Sequence, residues 1–343
     1  MSDSVAIHLS NATTDFSTKS YDYENPVYIC QKEDSIKFGA VAVPFFYYIV
    51  FTFGLLGNSL ILFLLLKYEK IKTVTNFFIL NLVISDLLFT ISLPFWAFYH
   101  SNEWIFGNGM CKVLSSIFFI GYFSCILFLT MMTTDRYLAV VHAVSATRTR
   151  KLLYVYMASI AIWMISFVST VPKFVLYGTR KDSFAGILCE ETGYPSEKIE
   201  KWKLFGYYQQ LIMFFFLPLI LILYCYTLIV LKLYYTKMHN KDKAVKLIFL
   251  IVLAFFICWT PYNTVILLKI IDVGTCNDHI DNAFYICRNI AYFHCCINPF
   301  FYTFVGTKFR RHLSTVFRIH CWSKYRHSSS SSKSEYSPQT IYE

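Results

Sequence analysis

The chain has 343 residues, of which 56% are hydrophobic and only 15% are charged, and its formal net charge is +10. A soluble protein of this size carries about 25% charged residues, so this composition argues against an ordinary soluble globular protein. The positive charge does not indicate nucleic-acid binding, because long apolar stretches favour a membrane protein instead.

Seven stretches are long enough to cross a hydrocarbon core of about 30 Å, which needs about 20 helical residues each. We call them spans 1 to 7, and we expect them at 39–66, 75–99, 109–135, 152–177, 204–231, 247–271 and 283–304. The loops between them are short. The sequence therefore predicts an all-α membrane protein, with one bundle of seven transmembrane helices at 39–305.

Three further segments flank this predicted bundle. A polar tail precedes it at 1–38. Residues 306–320 place apolar side chains at helical spacing opposite a basic face, which predicts a short amphipathic helix on the membrane lipids. The serine-rich segment 321–343 has a composition typical of a disordered tail.

The distribution of charge predicts the orientation. Four segments would lie on the same side of the membrane, between spans 1 and 2, 3 and 4, and 5 and 6, and after span 7: 67–74, 136–151, 232–246 and 306–343. Together they hold 19 basic and 4 acidic residues. The rest of the chain holds 12 basic and 17 acidic residues. Because Lys and Arg are enriched in cytoplasmic loops, we expect the N-terminus outside the cell and the C-terminus inside.

Polar residues within the spans indicate where a function could lie. Asp135-Arg136-Tyr137 stands at the predicted inner end of span 3, where an Arg must be paired or face water. Asp86 lies in the middle of span 2, and Asn58 and Asn298 are its expected neighbours. These residues could hold waters or a sodium ion, or they could form a polar cluster that only joins the helices.

Prolines predict kinks in several spans, because each removes a backbone donor. They are Pro94, Pro172, Pro218, Pro261 and Pro299. Trp259 precedes the span 6 proline by two residues, so its ring is a candidate conformational switch. The alternative is a plain aromatic contact in the core. Outside the cell, Cys30, Cys111, Cys189 and Cys276 allow three disulfide pairings.

Taken in order, five of these motifs resemble the rhodopsin-class G-protein-coupled receptors. They are Asn58, Asn81 to Asp86, Asp135 to Tyr137, Trp259 to Tyr262 and Asn298 to Tyr302. More narrowly, the chain resembles the chemokine receptors through the runs at 92–96, 135–143, 294–299 and 304–310. The resemblance covers residues 39–320.

This resemblance implies a receptor that binds an extracellular chemokine at the plasma membrane and activates an inhibitory-class heterotrimeric G protein. On activation, span 6 would swing out at Pro261, and Arg136 would leave Asp135 to contact the G protein. Tyr226 and Tyr302 would line the opened cavity. The family has no cofactor and no catalytic residues.

The resemblance also assigns roles on the outer side and in the tails. It implies the disulfides Cys111–Cys189 and Cys30–Cys276. The implied ligand contacts are Tyr21 and Tyr23, which would be sulfated, together with Trp96, Tyr262 and Arg288. The implied modifications are glycosylation of Asn11, palmitoylation of Cys321 and phosphorylation of the tail serines by receptor kinases, which would recruit arrestin.

The subtype is predicted from shorter runs. Residues 135–143 resemble receptors of the CC type, whereas 67–69, 75–81 and 286–289 resemble the lymphotactin (XC) receptor. On this basis we expect an XC-type receptor, with a CC receptor or a non-signalling decoy as the alternative. Two residues depart from the family pattern: Cys125 replaces a serine near Asp86, which puts sodium binding in doubt, and Arg288 replaces a glutamate.

A seven-helix pump or an intramembrane enzyme is the remaining alternative. A retinal protein needs a lysine in the core of span 7, and 283–304 contain none. Asp86 has no second acid to pair with in the sequence, and His294 has no evident nucleophile. The sequence therefore predicts that the chain is not an enzyme.

Overall fold

The computed structural model describes residues 33–69, 71, 73–142, 152–182, 186–191, 197–236, 242–271, 278–304 and 311–315. Spans 1 to 4 are the helices Glu33–Tyr68, Val74–Ser101, Gly107–Val141 and Leu152–Leu176. Span 5 consists of Glu197–Leu211, a π-helical segment at Ile212–Phe216, and Leu217–Thr236. Span 6 is Asp242–Ile271, and span 7 consists of Asp278–Tyr292 followed by His294–Phe304.

The predicted bundle of transmembrane helices is confirmed. Among the described residues, six helices are long and apolar enough to cross a membrane. Span 7 is shorter in each part because Phe293 interrupts it with a turn, in which the Cys296 amide donates to the Phe293 carbonyl at 3.1 Å. Span 3 extends to Val141, so Asp135 and Arg136 lie inside the helix rather than at its end.

Burial shows which helices face the lipid. In the most apolar 18-residue stretch of span 3, 78% of the residues are buried, whereas 22% are buried in the corresponding stretch of span 4. Span 3 is therefore the central helix of the bundle, and span 4 is peripheral. Large apolar side chains such as Phe45, Met157 and Ile220 are exposed on the outer surfaces, where a membrane would cover them.

Two of the predicted kinks have side chains that replace the missing backbone donor. Pro299 cannot donate to the carbonyl of Cys295, and the Asn58 side-chain amide donates to that oxygen instead at 2.9 Å. Pro218 likewise frees the carbonyl of Phe214, and the Tyr122 hydroxyl lies 3.4 Å from it. The π-helical segment immediately precedes Pro218, as expected where the regular hydrogen-bond ladder is interrupted.

Spans 1 and 7 approach each other closely beside Asn58. A Cβ atom added to Gly57 would lie 2.9 Å from both Cβ and Cγ of Pro299. Only glycine fits at this distance, so the proline of span 7 and the glycine of span 1 together bring Asn58 within reach of the free carbonyl.

One end of the bundle, predicted to be extracellular, carries a two-stranded antiparallel hairpin, β1 (Tyr177–Asp182) and β2 (Gly186–Glu191). The Cys111–Cys189 disulfide joins β2 to the first turn of span 3, as the family resemblance implied. The Lys112 ammonium donates to the carbonyls of Phe174, Val175 and Tyr177 at 3.1, 3.2 and 2.7 Å. These hydrogen bonds cap the backbone carbonyls at the C-terminal end of span 4.

Beyond span 7, residues 311–315 are helical, as the predicted amphipathic helix requires, and the remainder of 306–320 lies outside the described residues. His312 contacts the Glu69 carboxylate at 3.0 Å, and its ring stacks on Tyr68 with centroids 5.3 Å apart. This segment is therefore attached to the end of span 1.

Candidate functional site

An outer pocket opens between the hairpin and the upper halves of spans 1, 2, 3, 6 and 7. Its cavity is about 180 Å³, and its lining includes three predicted ligand contacts, Trp96, Tyr262 and Arg288. The other two, Tyr21 and Tyr23, lie outside the described residues, as do the Cys30–Cys276 disulfide, Asn11 and Cys321.

Arg288 lies in this pocket, as its position in span 7 predicted. One of its guanidinium nitrogens donates to His100 Nε2 at 3.2 Å, and the guanidinium carbon lies 5.7 Å from the Phe284 ring centroid and 5.9 Å from that of Tyr292. A planar cation over aromatic rings is held in a defined orientation. The group can therefore donate hydrogen bonds to a carbonyl or carboxylate of a ligand.

Two carboxylates of the pocket were not among the predicted site residues. Glu190 and Glu191 line the cavity, and Lys173 holds Glu191 at 2.5 Å. Arg180 holds Glu190 at 2.8 Å, and that hydrogen bond raises the pKa of the Arg180 guanidinium. Because both glutamates follow Cys189 in the chain, a disulfide from that cysteine to span 3 is the signal that could have placed them here.

A second cluster lies in the middle of the bundle, around Asp86. The Asn298 amide donates to Asp86 Oδ2 at 2.7 Å, as the predicted polar core requires. Asn58 does not join the cluster through its amide, because that group donates to the carbonyls of Gly54 and Cys295. Pro299 leaves the Cys295 carbonyl without a backbone donor, which accounts for the direction of the Asn58 amide, and the expectation that Asn58 lies beside Asp86 stays a prediction.

Two further residues lie at this cluster: Cys125, which the family resemblance placed near Asp86, and His294, for which the sequence offered no partner. His294 Nε2 lies 3.5 Å from Asp86 Oδ1, and Cys125 Sγ lies 3.7 Å from the same nitrogen. All three side chains are buried. They come from spans 2, 3 and 7, so only the tertiary packing brings them together.

Trp259 connects this cluster to the pocket. Its ring stacks on Tyr122 with centroids 3.8 Å apart and contacts the rings of Tyr262 and His294 at 5.9 and 5.3 Å. Asn263, which sequence reasoning missed, donates to the Trp259 carbonyl at 2.9 Å and accepts from Gln210 at 3.1 Å. Any movement of span 6 at Pro261 must therefore repack a ring that contacts both sites.

Arg136, near the inner end of span 3, is held in place by two side chains. Its guanidinium pairs with the Asp135 carboxylate at 2.5 Å and also donates to the Thr75 hydroxyl of span 2. Tyr226 and Tyr302 are both buried in the core of the bundle. Tyr137 points elsewhere, since its hydroxyl contacts His142 at 3.0 Å. Arg136 is thus held in a closed arrangement within the helix bundle.

The chain matches the 7 transmembrane receptor (rhodopsin family) over residues 57–302. It is 41% identical to C-C chemokine receptor type 3 of Cavia porcellus over 304 residues, which cover 86% of this chain and 84% of that protein. It is 39% identical to human C-C chemokine receptor type 1 and 37% identical to human C-C chemokine receptor type 4, with 90% of this chain and 88% of each relative covered.

These relatives do not support the preference for the XC type. The runs at 67–69, 75–81 and 286–289 suggested that type, but the matches over nearly the whole chain are to receptors of the C-C type. Short runs carry less information than an alignment of some 300 residues, and the alternative reading, a C-C receptor, agrees better with the comparisons. The chain therefore belongs to the rhodopsin family of seven-transmembrane receptors, within the group of chemokine receptors, and is a multi-pass membrane receptor rather than an enzyme.

Proposed function

We propose that this chain is a C-C-type chemokine receptor of the plasma membrane that activates an inhibitory-class heterotrimeric G protein. The observation that carries the proposal is the pair formed by Asp135 and Arg136, because the buried carboxylate holds a partly buried, releasable cation at the predicted cytoplasmic end of the bundle. The outer pocket lies at the opposite end, and Trp259 contacts both Tyr262 of that pocket and His294 of the central cluster.

Charge supports a chemokine as the ligand. The N-terminal tail at 1–38 carries six acidic and three basic residues, and sulfation of Tyr21 and Tyr23 would add further negative charge. Such a surface attracts a basic chemokine from a distance and then pairs with it. The outer pocket holds both signs: the carboxylates of Glu190 and Glu191 would attract a cationic terminus, and Arg288 would attract carbonyl or carboxylate oxygens.

The closed arrangement of Arg136 supports a two-state switch. A ligand shifts such an equilibrium only if it binds one state better than the other. A chemokine that repacks Tyr262 and Trp259 would favour outward movement of span 6 at Pro261, with Asn298 and Pro299 adjusting in span 7. Arg136 would then leave Asp135 and Thr75 and meet the G protein beside Tyr226 and Tyr302.

The segments that follow span 7 support membrane lipids, receptor kinases and arrestin as further partners. The basic face of 306–320 suits anionic lipids, and Cys321 beyond it is available for palmitoylation. Phosphorylation of the serine-rich tail by receptor kinases would create a binding site for arrestin. The orientation with the N-terminus outside rests on the excess of Lys and Arg in the inner segments.

The test is a screen of labelled C-C chemokines, with an XC chemokine for comparison, on cells that express the chain. We expect a C-C chemokine to bind and to lower cyclic AMP. Arg136→Ala should retain chemokine binding but abolish the fall in cyclic AMP, whereas Asp135→Asn, which weakens the closed pair, should raise signalling without ligand.

Surface expression matched to the wild type is the control for both variants. A full response from Arg136→Ala would contradict the assigned switch. Binding without any response from the wild type would indicate a decoy, and binding of the XC chemokine alone would restore the XC type.

A further inference from the structure

We propose that Asp86, Cys125 and His294 form a binding site for a zinc ion in the centre of the bundle. Their candidate ligand atoms, a carboxylate oxygen, the thiol sulfur and an imidazole nitrogen, all lie within 4.8 Å of one another. The three residues come from three different spans, so one ion would join spans 2, 3 and 7.

The spacing of the ligand atoms fits zinc. Zinc bonds of about 2.0–2.2 Å to oxygen and nitrogen and about 2.3 Å to sulfur, at tetrahedral angles, place ligand atoms about 3.3–3.6 Å apart. The observed separations are 3.5 Å between His294 and Asp86 and 3.7 Å between His294 and Cys125. The separation of Asp86 and Cys125 is at most 4.8 Å, so small side-chain adjustments would bring all three groups onto one ion.

The orientation of His294 leaves its second nitrogen available to a metal. Nδ1 lies 2.9 Å from the carbonyl oxygen of Ala291, and a carbonyl can only accept, so Nδ1 carries a proton. In a neutral imidazole, Nε2 then holds a lone pair. That lone pair faces Asp86 Oδ1 at 3.5 Å, which brings two acceptors together unless a cation or a proton lies between them.

Asp86 Oδ1 supports the same conclusion. Among the described residues, nothing gives this buried oxygen a hydrogen bond of normal geometry, although the other carboxylate oxygen accepts one from Asn298 at 2.7 Å. A buried carboxylate oxygen without a close donor is costly. Metal ligands are commonly oriented in this way, with one atom held by the protein and the other turned to the ion.

The kind of donor selects the metal. Thiolate and imidazole favour zinc and other soft or borderline ions, whereas sodium, magnesium and calcium prefer oxygen. Zinc binding would release the Cys125 thiol proton, and one doubly positive ion with one thiolate, one carboxylate and a neutral imidazole is electrically neutral. Neutrality matters because an uncompensated charge at this depth is unfavourable.

Binding can be tested without any chemokine, so the outcome is independent of the proposed function. The protein is the full-length receptor, purified in detergent without a polyhistidine tag. Zinc affinity is measured by competition with a chromophoric chelator, and cobalt is added separately as a spectroscopic probe. We expect the wild type to bind zinc and to show a thiolate-to-cobalt charge-transfer band.

Cys125→Ser replaces the thiol by a hydroxyl of similar size, and Cys225→Ser is the matched control, since Cys225 is a buried free cysteine of span 5. We expect Cys125→Ser to lose the cobalt band and to bind zinc at least about tenfold more weakly. Mutation of a residue that only hydrogen-bonds to a metal ligand already costs about tenfold in affinity, and loss of a ligand itself should cost no less. Cys225→Ser should keep both. Failure of the wild type to bind zinc, or retention of band and affinity in Cys125→Ser, would overturn the proposal.

A second measurement needs no variant, so it remains decisive if Cys125→Ser does not fold. X-ray absorption at the zinc edge of the loaded wild type should show one sulfur at about 2.3 Å together with nitrogen and oxygen ligands at about 2.0–2.2 Å. A shell with no sulfur would place the ion elsewhere. If the wild type does not bind zinc, an imidazolium paired with Asp86 is the better account of the cluster.

Discussion

Asn58 should stabilise the receptor through a single backbone carbonyl, and this can be tested with a double-mutant cycle. Its side-chain amide is completely buried and donates to the Cys295 carbonyl at 2.9 Å. Pro299 cannot supply that hydrogen bond, so Asn58→Ala leaves a buried acceptor without its donor. The carbonyl of Gly54, the other acceptor, belongs to a helix and keeps its backbone partner in the variant.

The magnitude follows from these contacts. Leaving a buried acceptor unsatisfied costs about 1–3 kcal/mol. Hydrogen bonds between membrane helices measure about 0.6 kcal/mol on average and about 1.7 at most. We therefore expect Asn58→Ala to cost about 1–2 kcal/mol, seen as a lower thermal midpoint of the purified receptor.

Pro299→Ala provides the second side of the cycle, because alanine restores an amide that can donate to the Cys295 carbonyl while keeping the Cβ atom that faces Gly57. In the double variant, Asn58→Ala should then cost less by about 1 kcal/mol than it does alone. Thermal midpoints of all four proteins in the same detergent give the coupling. Strict additivity would refute the assignment of Asn58 as the replacement donor.

Two further predictions concern the outer side. Cys111→Ala should lower surface expression sharply, because the lost bridge closes a sequence separation of 78 residues and such bridges contribute about 2–4 kcal/mol to stability. Cys30→Ala should spare surface protein but weaken chemokine binding. Equal loss of expression in the two variants, or mass mapping that joins Cys30 to Cys111, would contradict the pairing. Arg288→Ala and Arg288→Glu should each reduce chemokine potency about 10- to 150-fold, because a charge-assisted hydrogen bond contributes about 1.5–3 kcal/mol. Dose–response curves at matched surface expression check this, and unchanged potency in both variants would show that the arginine touches no ligand.

The features that the sequence determined are those that depend on neighbouring residues. A stretch of about twenty apolar residues can satisfy all its own backbone groups within a membrane only as a helix, and this local rule located all seven spans to within seven residues at every end. The Cys111–Cys189 pair and the positions of the prolines were also visible, the former through the family resemblance.

Only the tertiary structure decided which side chains meet. Helical spacing shows that Asp86, Cys125 and His294 each lie within a span, but the rotation of each helix about its axis depends on packing against its neighbours. The same packing directs the Asn58 amide to span 7, because Gly57 lets span 1 approach Pro299 and the unpaired carbonyl of Cys295 needs a donor. A hydrogen bond between residues 237 positions apart has no local signal in the sequence, since its cause is the contact between two helices rather than the residues of either one.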